Sequence, residues 1–311
     1  MQLRVNLIRV FGKARLGGIE MKASFGEKIF GAVNYVLLGL CSLSCLLPLL
    51  NICAISLSSN TAVSAGKVSI LPVDLNWKSY EAFFKGAPIV QSFLNSLLLT
   101  VVGVSLCLFV TLLTAYPLSR KLFYGRKLLS LAIVFTMLFS GGTIPSYLLV
   151  NGLGLVNSYW AIWLPGLVSV YNMLIMKNYF ENLPEEMEEA ARIDGANELQ
   201  FIWKIIFPLS LPMFATIALF YGVNYWNSFF QVLIYINDTS KYNLTVLVQQ
   251  MVRSASILQD LSSLEPAEMN MLPPEGVKSA GVFILLLPMV AVYPFIQKYF
   301  VKGVMIGAIK G

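Results

Sequence analysis

Five stretches of this chain carry no charged side chain at all: Phe30 to Gly66, Gly86 to Ser119, Leu128 to Met176, Ile205 to Asn237 and Ser279 to Gln297. A helix crosses a bilayer with roughly 20 apolar residues, and the Leu128 run is long enough for two crossings. Gly- and Asn-containing sequence at 151–158 breaks that run into a helical pair. The pattern predicts an all-α integral membrane protein with six transmembrane helices, near 30–57, 91–117, 128–150, 159–177, 210–235 and 279–298. Composition agrees: 57% of the 311 residues are hydrophobic and 12% charged, where a soluble domain carries about 25% charged residues.

Basic residues stay on the cytoplasmic side of a membrane. With the N-terminus inside, Arg4, Arg9, Lys13, Arg15, Lys22, Lys28, Arg120, Lys121, Arg126, Lys127, Lys177, Arg192, Lys204, Lys298, Lys302 and Lys310 are all cytoplasmic. Outside remain Lys67, Lys78, Lys85, Lys241, Arg253 and Lys278. The net charge of +6 is therefore a topology signal and implies no nucleic-acid partner. The expected organisation is a cytoplasmic basic tail at 1–29, a six-span membrane domain at 30–301 with a cytoplasmic loop at 178–209, and a cytoplasmic tail at 302–311. The tail lacks the short apolar core and small-residue cleavage site of a signal peptide, and Met21 is an alternative start. The four cysteines, Cys41, Cys45, Cys53 and Cys107, fall in the first two spans of a chain without histidine. They read as small buried hydrophobes, with no metal site and no disulfide.

Acidic residues concentrate in one place: Glu181, Glu185, Glu186, Glu188, Glu189, Asp194 and Glu198. Each acid at the middle of a bilayer costs about 2.5 to 3.5 kcal/mol, so this stretch lies outside the membrane, between spans four and five. Locally it reads as two short helices. Pro184 suits a first turn, with Glu185 and Glu186 at the positive helix end. Met187, Ala190, Ala191 and Asp194 recur at helical spacing, and Gly195 ends the helix. Asn197 followed by Gln200 has the form of a capping box, opening a second helix through Phe201, Ile202, Ile205 and Ile206 to Pro208. The expected element is L-shaped, and from composition alone it is either a solvated loop or a ridge that enters a groove on a basic partner.

The spans contain no Asp, Glu, His or Arg to carry ions, and no G-x-x-x-x-G-K-[ST] loop to bind nucleotide. The chain itself neither hydrolyses ATP nor resembles an ion-coupled carrier, although a secondary transporter with backbone sodium sites remains the alternative class. Polar side chains do occur at mid-membrane. Tyr221, Asn224, Ser228 and Gln231 share one helix face on span five, with Tyr225, Trp226 and Asn227 nearby. Amides and aromatics suit sugars, whose hydroxyls need hydrogen-bond partners and whose C–H faces stack on rings; the other reading is hydrogen bonding between helices. Ser169 and Asn172 on span four form a second face, and Gly141, Gly142 and Pro145 loosen span three for a hinge or for close packing.

The run Glu189-Ala190-Ala191, Asp194-Gly195-Ala196, Ile206-Phe207-Pro208 and Pro212 resembles the EAA motif of ABC importer permeases, with Phe207 where Leu is usual. The likeness covers most of the chain: AYPLSRKLFYGR at Ala115–Arg126, FSGGTIPSYLLVNGLGLVNSYWAIWLP at Phe139–Pro165, YWNSFF at Tyr225–Phe230 and KGVMIGAIKG at the C-terminus. These resemble type I importers of the carbohydrate-uptake branch, particularly complex-oligosaccharide permeases, although Tyr242-Asn243-Leu244-Thr245 departs from the branch after span five. The resemblance implies a permease subunit in a bacterial cell (inner) membrane, working with a second and different permease, a dimer of ATPase subunits and an extracytoplasmic sugar-binding protein. ATP and Mg²⁺ would sit on the ATPase, and this chain would need no cofactor. Glu189, Ala190, Ala191, Asp194 and Gly195 would form the coupling arm, Glu189 pairing with a cation on the ATPase. Tyr221, Asn224, Trp226, Asn227, Ser228 and Gln231 would line the substrate path, and Lys302 to Gly311 would reach the ATPases or fray.

Overall fold

The computed structural model describes residues 14–16, 19–21, 25–86, 88–139, 141–184, 186–262 and 274–308. Arg4, Arg9, Lys13, Lys22, Glu185, Lys310 and Gly311 lie outside the described residues. Backbone contacts divide the chain into two units, 1–77 and 78–311, where the sequence suggested one membrane domain from residue 30 to residue 301.

In the first unit, β1 (Ala14–Leu16) and β2 (Ile19–Met21) pair antiparallel, with Arg15 opposite Glu20. Helix α1 (Phe25–Ser56) follows. Leu37, Leu40, Leu43 and Leu46 are each at least half exposed, although they point in different directions around the axis. A helix that is apolar on every side is built for lipid or for other chains, and none of its partners needs to come from its own unit. The segment after it folds back on the helix end. Asn76 donates its N–H to the Leu57 carbonyl, the Ser58 hydroxyl accepts the Val73 N–H, and Ser59 caps the short helix α2 (Asn60–Ser64).

The second unit centres on α4 (Ile89–Ser119), which follows α3 (Lys78–Gly86). Predicted spans three, four and five are helical but broken, and span six is continuous. Span three is α5 (Arg126–Leu138) and α6 (Thr143–Gly152), separated at Gly142, whose φ of 87° only glycine adopts freely. Span four is α7 (Trp160–Gly166) and α8 (Val170–Glu181); Pro165 and Gly166 close the first, and the Ser169 hydroxyl caps the second. Span five is α12 (Leu211–Trp226) and α13 (Phe230–Tyr235), and span six is α15 (Pro274–Ala308), which runs straight into the C-terminal tail. Among the described residues, three helices are long and apolar enough to cross a membrane, Lys28–Ser56, Ile89–Ser119 and Glu275–Pro294, or up to five if each bent pair counts as one.

Between spans four and five the two predicted helices are present, as α9 (Glu186–Ile193) and α10 (Glu198–Phe201), the second continuing through a π-helical turn at Ile202–Ile206 into α11 (Phe207–Leu209). The π turn has a local cause. Pro208 has no N–H for the Lys204 carbonyl, and the preceding Phe207 N–H reaches one residue further back, to Ile202. The helix from Glu198 to Leu209 then meets α12 at 80°, with Ser210 between Pro208 and Pro212.

Three helices were not anticipated: α2 and α3, between spans one and two, and a longer one between spans five and six. The segment read as an outer loop contains α14 (Leu244–Ser262). Its signal was present in the sequence: Asn243 precedes an apolar run, and its side chain accepts the Val246 N–H at 3.0 Å as an N-cap. The same Asn243 donates to the Ser228 carbonyl at 2.8 Å, which holds the break between α12 and α13 in place. Helix α4 packs against α8, α12 and α14, and α12 also packs against α15. The core between them contains Leu99, Cys107 and Ala115 of α4, Met173, Met176 and Phe180 of α8, and Ile217, Tyr221 and Tyr225 of α12.

Candidate functional site

A cavity of about 480 Å³ opens where the broken spans three, four and five come together. Breaking the helices is what makes it: the ends of α6, α7, α8, α12 and α13 turn polar groups into a space that continuous helices would fill. Its lining includes Tyr221, Asn224, Ser228 and Gln231, all four residues of the face predicted on span five. Gln231 belongs to α13, beyond the break, yet still faces the same space. Ser169 and Asn172, the second predicted face, line it too, as do Gly142, Thr143 and Ser146 at the start of α6, which sequence reasoning treated only as a loosened helix.

The lining residues do different work. Tyr221 is buried, and its hydroxyl accepts the Ser169 N–H at 3.0 Å and lies 2.8 Å from the Thr111 hydroxyl. Its oxygen is thus occupied in joining α4, α8 and α12, and it offers the cavity a ring. Ser228 donates to the Tyr225 carbonyl at 2.7 Å. Asn224 and Gln231, in contrast, are exposed, and among the described residues their amides have no hydrogen-bond partner. Asn172 is only 5% exposed, and its side-chain amide likewise has no protein partner among the described residues. The cavity therefore presents three free amides among the rings of Phe220, Tyr221, Tyr225, Phe230 and Tyr235, with no charged side chain in its lining.

Trp226 and Asn227 do not line this cavity. Trp226 faces away, 5% exposed, with its ring edge-on to Phe93 and its Nε1–H donated to the Leu285 carbonyl at 3.2 Å. It is an anchor between α12 and α15. Asn227 caps the end of α12, its amide donating to the Val223 carbonyl at 2.9 Å. Sequence proximity suggested both; helical phase separates them from Asn224 and Gln231.

Tyr225 closes the cavity floor at a junction with no spare room. A Cβ on Gly103 would lie 2.7 Å from its ring, and a Cβ on Gly166 would lie 2.9 Å from its hydroxyl. The Cys107 thiol donates to the Gly166 carbonyl at 3.2 Å, so the Tyr225 hydroxyl, also 3.2 Å from that sulfur, donates to it. These are the packing reasons for two glycines and a cysteine inside membrane helices.

At the far end of α8 lies the arm. Gly195 has φ 75°, and it sits in a Schellman turn: its N–H bonds the Arg192 carbonyl, and the Ala196 N–H bonds the Ala191 carbonyl at 2.9 Å. Asn197 and Gln200 form both halves of the capping box. Ala191 is buried, while Ala190, Glu189 and Asp194 are exposed, and Ile193 is 86% exposed. The acids divide into two sets. Glu181 pairs with Arg126 and with Lys177, Glu188 with Arg120 and Arg192, and Glu198 with Arg192. Glu186, Glu189 and Asp194 have no ion pair among the described residues. Part of the acidic cluster thus holds the arm on its own chain, and the rest faces outward with Ile193. Among the described residues no group of three Cys, Asp or Glu is placed to hold a metal.

A bundle of broken apolar helices with an uncharged, amide-lined cavity at mid-bundle and a charged helical arm at one end is the architecture of a membrane permease. The chain belongs to the family of binding-protein-dependent transport system inner membrane components, whose model matches residues 21–306. It is 40% identical over 286 residues to the polygalacturonan/rhamnogalacturonan transport system permease protein YtcP of Bacillus subtilis (strain 168), covering 92% of this chain and 99% of that one. It is 42% identical over 286 residues to protein LplC of the same organism, covering 91% and 96%. Among solved structures it resembles, with TM-score 0.81 and 34% identity over 90% of this chain and 99% of the other, a bacterial ABC transporter involved in the import of the acidic polysaccharide alginate. It is a multi-pass permease subunit of an ATP-driven importer, working with an ATPase and a solute-binding protein, and ATP hydrolysis lies on a separate subunit. The ion-coupled alternative does not hold.

Proposed function

We propose that this permease translocates a sugar or oligosaccharide released by an extracytoplasmic binding protein, and that the substrate passes through the cavity lined by Asn224, Gln231 and Asn172. The observation that carries this reading is the set of unpartnered amides beside aromatic rings, since hydroxyls satisfy amides and sugar C–H faces stack on rings. The relative named for polygalacturonan and rhamnogalacturonan and the transporter named for alginate support a saccharide substrate. A second, different permease completes the pathway, two ATPase copies hold ATP and Mg²⁺, and this chain carries no cofactor. The organisation proposed is tail 1–29, permease domain 30–301 with its coupling loop at 178–209, and tail 302–311.

Uptake of two oligosaccharides, normalised to assembled transporter, tests the cavity. Asn224→Ala and Gln231→Ala are expected to lower uptake about tenfold or to change substrate preference, since a desolvated hydroxyl that loses its partner costs about 1–3 kcal/mol. Asn227→Ala, which alters a residue outside the cavity, is expected to leave both rates unchanged. Equal rates and preference in all three variants would remove this cavity from the substrate path.

The arm is proposed to lie in the cytoplasm, with both termini, and to dock into the ATPase through Glu189, Ala190, Asp194 and the exposed Ile193, while Ala191 and Gly195 set its shape. The partition of basic residues supports this orientation. In a background lacking native thiols, Ala196→Cys is expected to react with an impermeant maleimide in inverted vesicles and not in intact cells. Labelling from outside intact cells would overturn the orientation.

A further inference from the structure

Helix α4 ends at Arg120, and what Arg120 does there is not explained by the cavity or by the exposed face of the arm. Its guanidinium lies over the Tyr116 ring, 4.7 Å from the centroid, and 5.8 Å from the centroid of Phe201 on α10. Its Nη1 donates to Glu188 of α9 at 2.9 Å. The other oxygen of Glu188 accepts from Arg192 at 2.8 Å, Arg192 also reaches Glu198 at 3.3 Å, and Glu198 accepts the Tyr116 hydroxyl proton at 2.9 Å. The chain of contacts thus closes on itself, from Arg120 through Glu188, Arg192, Glu198 and Tyr116 back to Arg120. It ties both short helices of the arm to one turn of α4. Among the described residues the Nε and Nη2 of Arg120 are buried without a partner, and Glu188 is the one anion bound to a guanidinium that is 18% exposed.

About two and a half turns before Arg120, α4 carries Thr111, which meets Tyr221, and then Cys107 and Gly103, which clamp Tyr225. Both tyrosines line the cavity. The same rigid helix therefore touches the arm at one end and the cavity wall at its middle, and packed helices move as bodies more readily than they deform.

We propose that Arg120 is a positioning residue that latches the arm to α4, so that displacement of the arm by the ATPase is carried along α4 to the cavity wall at Tyr221 and Tyr225. Arg120 touches neither substrate nor nucleotide; it acts through Glu188 and Tyr116. The proposal rests on the arm being the element that meets the ATPase, and the experiment separates the two ideas by scoring ATPase binding first.

The test uses the whole transporter reconstituted with its ATPase and loaded binding protein. Co-purification of the ATPase reports docking, and the rise in ATP hydrolysis caused by the loaded binding protein reports coupling. Arg120→Gln and Glu188→Gln are each expected to keep the ATPase bound and the basal hydrolysis rate unchanged, while the stimulated increment falls about tenfold, within the range of measured coupling between sites. Because the two residues form one link, the double variant is expected to be no worse than either single one, and Arg120→Lys is expected to restore part of the increment. Tyr116→Phe keeps the ring, removes only the hydroxyl bonded to Glu198, and decides the matter should Arg120→Gln fail to assemble; its expected increment is about threefold reduced, with docking intact. Full stimulation in Tyr116→Phe and Arg120→Gln, or losses that add in the double variant, would overturn the latch. Loss of ATPase co-purification in these same variants would also overturn it, placing Arg120 in docking. ATPase that stays bound when Glu189 and Ile193 are altered would instead remove the arm reading on which the latch rests.

Discussion

Alanine at Gly103 is expected to lower the thermal midpoint of the assembled transporter by several degrees, and leucine there to prevent assembly. Local propensity predicts the opposite for alanine, since Gly→Ala in a helix interior gains up to about 1 kcal/mol. The neighbour decides the sign. A Cβ at position 103 would lie 2.7 and 2.9 Å from ring carbons of Tyr225, closer than carbon atoms approach. The ring is held at its hydroxyl, which bonds the Cys107 sulfur at 3.2 Å and lies where a Cβ on residue 166 would be only 2.9 Å away. Forcing an extra methyl into such a site costs about 1–3 kcal/mol, and a domain of this size loses about 2–4 °C per kcal/mol. Two companion variants make the cause visible. Gly39→Ala, in α1 where an added Cβ meets nothing within 4 Å, should not lower the midpoint. Tyr225→Leu should rescue Gly103→Ala, since it removes the atoms that clash. A Gly103→Ala midpoint at or above that of the parent would show that α4 and α12 are not packed as described.

What the sequence discloses about this molecule follows the range of the interactions concerned. Gly195, Asn197 and Gln200 were readable because a Schellman turn and a capping box are settled within a few residues, and both are present. The apolar runs announced every long helix but α14, because a bilayer-crossing helix needs only length and the absence of charge, whereas α14 carries Arg253 and Asp260. Where a run breaks was harder to see. Gly142 was read as loosening span three, but span four was read as unbroken through Pro165, and the break after Trp226 depends on Asn243 donating to the Ser228 carbonyl from a distant segment. Helical periodicity correctly put Asn224 and Gln231 on one side, yet it could not say that Trp226 would find the Leu285 carbonyl on α15, or that the Tyr221 hydroxyl would be taken by Ser169 and Thr111. The division of the acids was the least legible part. Glu188 and Glu189 are adjacent in sequence and alike in chemistry; only the position of Arg120 at the end of α4 assigns the first inward and leaves the second free.

That division makes the arm the place for the second large effect. Gly195→Val is expected to reduce uptake more than tenfold with membrane insertion unchanged, and Gly195→Asn to transport nearly as well as the parent. At φ 75° an ordinary L-residue loses roughly 1–2 kcal/mol, a β-branched one more, while Asn tolerates the left-handed region. The strain has a specific outlet. Relaxing φ breaks the bonds from Gly195 to Arg192 and from Ala196 to Ala191, which close the turn between α9 and α10, and so changes the direction in which Glu189 and Ile193 are presented. Glu189→Lys probes the same face by charge, since Glu189 lacks an ion pair among the described residues and its reversal leaves the internal network of Glu188, Arg192 and Glu198 intact. Uptake into vesicles, ATPase co-purification and insertion measured by surface labelling separate the causes. If the arm docks as proposed, Val and Lys both lose ATPase binding while Asn retains it. A Gly195→Val variant that binds the ATPase and transports normally would mean that the Schellman turn shapes a solvated loop, and that the force of ATP binding enters the permease elsewhere.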